Sequence, residues 1–219
     1  MAIFSDYIAA AVIYNLQILP ESVTMGLILL AIVLANGPVA ALATGLAGTQ
    51  LLSGTVGRLV MKYAPDGASI ASSMDACTQG YVGKSWTRLL NGGVSPEQLW
   101  HPKAPSIYQS TVGFLVGYGL ALQSIYREEI KAGVLPQSMM TVVGIIAGLL
   151  MILAIVFRVM SGCETVLGAA GGVVLGLIVG YFGAIALSYA TGRRMTNIWG
   201  IPLLRDRINN GSAVYICQT

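Results

Sequence analysis

The chain has 219 residues, of which 55% are hydrophobic and 10% charged, and its mean hydropathy is +0.74. A soluble domain carries about 25% charged residues, so a soluble enzyme or binding domain does not fit this composition. The net charge of +3 sits in a few islands between long neutral runs and is too small for nucleic-acid binding.

In chain order, residues 1–21 come first. This region lacks the Lys/Arg of a signal peptide, and Asp6 stands where positive charge would be expected. Segment 7–19 is short for a span and interrupted by Asn15 and Gln17, which predicts a helix packed on the rest of the protein or lying at the interface. Four stretches without Asp, Glu, Lys, Arg or His follow. They lie between Glu21 and Arg58, Lys103 and Arg127, Lys131 and Arg158, and Glu164 and Arg193, and hold roughly 36, 23, 26 and 28 residues. About 20 residues cross a hydrocarbon core. The fold expected is all-α, a polytopic transmembrane helical bundle of four to five spans with a short C-terminal extramembrane arm.

The count turns on the first region, 22–60. At 36–38 the run Asn36-Gly37-Pro38 breaks it: Asn and Gly suit a C-terminal cap, and Pro cannot continue an intact ladder. Either one span covers 22–36 and a second 39–60, or a single kinked or re-entrant element covers both. Residues 61–103 form the longest extramembrane loop. It has turn signals at Pro65-Asp66-Gly67 and Asn91-Gly92-Gly93, and Ser95, Pro96 and Gln98 mark one capped helical turn. Trp86 and Trp100 suit headgroup depth. Residues 104–192 hold three further helices. Orientation does not follow from charge, because six basic residues fall on each side of the membrane.

The strongest pattern is in the last span. Gly168, Gly172, Gly176 and Gly180 recur every fourth residue and continue as Ala184, Ser188 and Gly192. Positions four apart share a helix face, so they form a smooth groove across the membrane depth. Small residues let helix backbones approach closely in lipid. The spacing recurs at Gly113 and Gly117 and at Gly144 and Gly148. The groove either packs within the chain or receives another protein.

Chemistry-bearing groups are sparse. His101 is the single histidine, and Cys77, Cys163 and Cys217 form no zinc spacing, so no catalytic residue, metal site or cofactor is expected. Glu128 and Glu129 read as a solvated helix end. Arg158 and Glu164 are six apart across a short turn and are placed to pair. The spans carry no central ionisable group, which argues against a proton-coupled transporter. A lipid-phosphatase-type enzyme is equally disfavoured, since one histidine is too little acid–base chemistry.

The arm, 193–219, is ordered in style. Arg193 and Arg194 meet the headgroups, Trp199 suits the interface, and Asn209-Asn210-Gly211 can form a tight hairpin. An isolated hairpin is marginal in water, so Arg193, Arg194, Trp199, Arg205, Arg207 and Tyr215 are candidate docking residues for another chain. The run from Asn197 to Cys217, after a Gly-rich span, resembles the ends of small multi-span inner-membrane proteins of nucleocytoplasmic large DNA viruses. That resemblance implies a virion structural protein in the membrane beneath the capsid, in contact with minor capsid proteins. The function expected is therefore non-enzymatic and structural: an integral membrane protein, its partners the lipid bilayer and other proteins of a large complex or further copies of itself. A channel or facilitator for a small solute is the alternative.

Overall fold

The structure, a computed structural model, describes residues 22–63, 105–131, 137–160 and 164–198, and every regular element among them is helical. The helix expected over 7–19, the loop with His101, Trp86 and Trp100, all three cysteines, and the arm residues Trp199, Arg205, Arg207 and Tyr215 lie outside the described residues. The elements are α1 (Ser22–Val33), α2 (Gly37–Tyr63), α3 (Ile107–Ile125), the short α4 (Arg127–Lys131), α5 (Gln137–Met160) and α6 (Val166–Thr191). A 3-10 turn over Arg194–Thr196 follows. Among the described residues two helices, over Gly37–Val60 and Val166–Thr191, are long and apolar enough to cross a membrane.

The break at 36–38 separates two helices and serves both: the Asn36 N–H closes the end of α1 on the Ala31 carbonyl at 3.2 Å, while the Asn36 side chain serves the start of α2. Asn36 caps the start of α2: its Oδ1 accepts the Val39 N–H at 3.2 Å. Gly37 is the first residue of α2, and Pro38 sits in the first turn, where its missing N–H leaves no helical acceptor unserved. The left-handed residue that ends α1 is Ala35, with φ 46°. An Asn followed by Gly serves either end of a helix equally well in sequence.

Contacts fix the helix directions. Gly37, at the start of α2, lies against Met195 beyond the end of α6. Ser53, further along α2, donates to the Pro105 carbonyl before α3 at 3.1 Å. Arg158 near the end of α5 stacks on the Tyr108 ring at the start of α3, 4.6 Å from its centroid. Helices α2, α3, α5 and α6 thus alternate in direction. The segment leading into α3 and the segment leaving α6 fall at opposite ends.

The central apolar cluster joins Leu42 and Leu46 of α2, Phe114, Tyr118, Ala121 and Leu122 of α3, and Ala184 of α6. A second, smaller cluster, Tyr108 and Val112 with Met151, seats α5 on α3.

Candidate functional site

The organising feature is the seam between α3 and α6. On α6 the buried residues are Gly168, Ala169, Gly172, Gly176, Gly180, Ala184 and Ser188, while Leu167, Val174, Ile178 and Phe182 are exposed. The helix buries its smallest residues and turns its largest outward. A Cβ added at Gly172 would stand 2.5 Å from the Ser106 carbonyl oxygen. One at Gly176 would run into the Ser110 carbonyl and stand 2.6 Å from the Phe114 nitrogen, and one at Gly180 would run into the Phe114 carbonyl. The relation is reciprocal, since a Cβ at Gly113 or Gly117 would strike the carbonyls of Val173 and Leu177. Backbone therefore meets backbone along the seam from Gly172 to Gly180, about 12 Å at 1.5 Å per residue. At such separations dispersion and Cα–H contacts supply the attraction.

Gly168 closes one end of the seam by accepting the Ser106 N–H through its carbonyl, at 3.0 Å. Gly144 and Gly148 of α5 are placed differently. The nearest atom to a Cβ at Gly144 is Gln123 Nε2 at 3.9 Å, and a Cβ at Gly148 meets nothing within 4 Å.

At the α3 start, Ser106 caps its helix by accepting the Gln109 N–H at 3.2 Å and donates its own hydroxyl to Glu164 Oε1 at 2.7 Å. The same carboxylate oxygen receives Arg158 Nε at 2.9 Å, with both side chains buried. Thr165 caps α6 beside it, accepting the Gly168 N–H at 3.0 Å. Three helix ends are tied by one carboxylate.

A polar layer lies deeper, between α1, α2 and α3. Gln50 Nε2 donates to Thr24 Oγ1 at 2.9 Å and to Thr111 Oγ1 at 3.1 Å, and all three residues are buried. Hydroxyls of Thr49 and Thr111 return to carbonyls one turn back in their own helices.

The opposite end holds a second cluster. Tyr126, between α3 and α4, places its hydroxyl 3.0 Å from the Arg193 carbonyl and 3.1 Å from Thr196 Oγ1. Burial, the main cause, raises its pKa; the Thr196 hydrogen bond and Arg193 oppose the rise, and Glu129 adds to it. The hydroxyl is thus a neutral donor at physiological pH. Arg193 Nη1 reaches Glu129 Oε1 at 3.1 Å. Glu129 is buried rather than solvated, because the chain turns back at Gly192 and Arg193, both left-handed, and lays Arg193 over it. Arg194 is exposed. Of the candidate docking residues, then, Arg193 has a structural role inside the chain and Arg194 faces outward.

Between the ends of α3 and α6, beside Arg193, lies a half-open cleft of about 340 Å³ lined by Ser124, Ile125, Ile185, Ser188 and Tyr189.

Replacing Tyr126 by Phe is expected to lower stability by about 1–2 kcal/mol, because buried Thr196 and the Arg193 carbonyl each lose a hydroxyl partner. A detergent-solubilised melting transition equal to that of the unmodified chain would rule this out.

Comparison with protein-family models, with curated proteins and with solved structures finds no match to the chain.

Proposed function

We propose that the chain is a non-enzymatic, structural integral membrane protein of four to five spans, a rigid helical core held within a larger assembly through its extramembrane segments. The observation that carries the membrane reading is the inverted burial on α6, with glycines inside and Leu167, Val174, Ile178 and Phe182 outside. In water this arrangement wastes the hydrophobic effect, whereas in lipid it costs nothing and permits the closest packing. Exposed Leu29, Ile32 and Val33 on α1 and Ile145, Leu149 and Ile152 on α5 extend the apolar surface.

The assembly reading follows from where the small-residue faces are used. The α6 groove is filled by α3, so the routes to partners are the extramembrane segments with the basic arm and the open Gly144–Gly148 stretch of α5. The resemblance of the arm makes the membrane beneath an icosahedral capsid the proposed setting, with capsid-associated proteins as the partners.

Cross-linking mass spectrometry in the native membrane tests this through Lys84, Lys103 and Lys131. Cross-links to other proteins are expected. Cross-links confined to this chain would remove the assembly reading, and extraction by alkaline carbonate would remove the membrane reading.

The buried Thr24–Gln50–Thr111 layer favours a second reading, a facilitator for a small solute. Reconstituted liposomes would then show a flux that Gln50→Leu suppresses; no flux under any gradient eliminates it.

A further inference from the structure

We infer that the cleft between the C-terminal ends of α3 and α6 is a binding site for the headgroup of an anionic phospholipid. The inference rests on the membrane reading above. The cleft is lined by Gly192 at the C-terminal end of α6, where a membrane-crossing α6 would reach the level of the lipid phosphates. Its lining is mixed in character: Ile125 and Ile185 give it an apolar wall, Ser124 and Ser188 supply hydroxyls, and Arg193 supplies a guanidinium. A phospholipid combines matching chemistries, an acyl chain, an ester and a phosphate. Tyr189 is 85% exposed at the mouth, as an interfacial aromatic would be.

The charge balance decides the sign of the ligand. Arg193 spends Nη1 on Glu129, and its side chain remains 39% exposed, so its other nitrogens can present a fork to phosphate oxygens. Glu129 offsets that one charge, and the C-terminal end of α6 adds a partial negative charge of its own. Capping weakens that term, since the Ser188 carbonyl already accepts the N–H groups of Gly192 and Arg193. Among the described side chains there, Arg127, Arg193 and Arg194 stand against Glu129. Arg127 and Arg194 are both exposed. The excess is positive, and each basic group near an anionic headgroup is worth about fivefold in affinity.

The test uses the full chain, reconstituted in vesicles of mixed phosphatidylglycerol and phosphatidylcholine and then gently solubilised. Native mass spectrometry counts the lipids that stay bound. Phosphatidylglycerol is expected to be retained about fivefold or more over phosphatidylcholine. Ser124→Phe fills the cleft from an exposed position while keeping both members of the Arg193–Glu129 pair, and should bring the ratio close to one while leaving the helical melting transition in place. Arg193→Lys keeps the charge but loses the fork, and should lower the ratio a few-fold. Equal retention of the two lipids, or a preference unchanged by Ser124→Phe, overturns the site. Displacement of the lipid by excess inorganic phosphate overturns it as a lipid site and makes it a free-anion site. Release of the protein from the vesicles by alkaline carbonate overturns the membrane reading and this inference with it; retention with equal lipid ratios overturns the inference alone.

Discussion

Gly176→Ala is expected to destabilise the chain by about 3 kcal/mol, at the upper end of what overpacking by one methyl group costs. The reason is what the new Cβ meets: the Ser110 carbonyl and the Phe114 backbone nitrogen, neither of which can rotate away as a side-chain tip could. The two helices have to separate, and every close contact along the seam weakens together. Gly183→Ala supplies the internal control. It lies on the same helix with nothing within 4 Å of its added Cβ, so the change should be neutral or stabilising by up to about 1 kcal/mol through helix propensity. Denaturation of both variants in one detergent reads the difference. Equal midpoints would mean that α3 and α6 do not meet at Gly176. Opposite signs from one chemical change, seven residues apart, would be difficult to produce in any other way.

Glu164→Ala should be nearly as damaging, at about 3 kcal/mol. It leaves the buried Arg158 guanidinium without its carboxylate and takes the acceptor from the Ser106 hydroxyl. Most of that loss is the penalty for depriving a buried guanidinium of its carboxylate rather than the worth of the pair. The double replacement Arg158→Met with Glu164→Met should therefore recover to within about 1 kcal/mol of the unmodified chain. A double-mutant cycle on unfolding free energy measures the coupling. If the single and double variants melt alike, Arg158 has found other solvation and the pair does not organise these helix ends.

The parts of this arrangement that could be read from the sequence are those with local spacing. The glycine stripe of α6 declares itself because its four-residue period puts Gly172, Gly176 and Gly180 on one face whatever the partner. Arg158 and Glu164 are six residues apart across a turn, so their pairing needs little tertiary information. The sequence left the occupant of the groove open, and the structure fills it with α3 from Gly172 to Gly180. The Tyr126–Arg193–Thr196 cluster was not legible. Its members are separated by 67 and 70 residues, and no local pattern joins them. Glu129 misleads for the same reason, since a carboxylate in a charged pentapeptide looks solvated until a distant arginine covers it. The Gln50 contacts to Thr24 and Thr111 are likewise long-range, and Asn36 misleads because its cap chemistry suits both helix termini.

The turn after α6 has a mechanical meaning. The chain does not run straight on from the end of the helix. Gly192 and Arg193 bend it back, Thr196 is buried under Tyr126, Met195 presses on Gly37, and Ile198 packs into the central apolar cluster. A pull on the arm beyond residue 198 therefore cannot begin by unwinding α6. The load passes first into this fastening, and through Met195 and Gly37 to the joint between α1 and α2. The α6 end is shielded from strain, and the α1–α2 joint is the place where a tug from outside would first be felt.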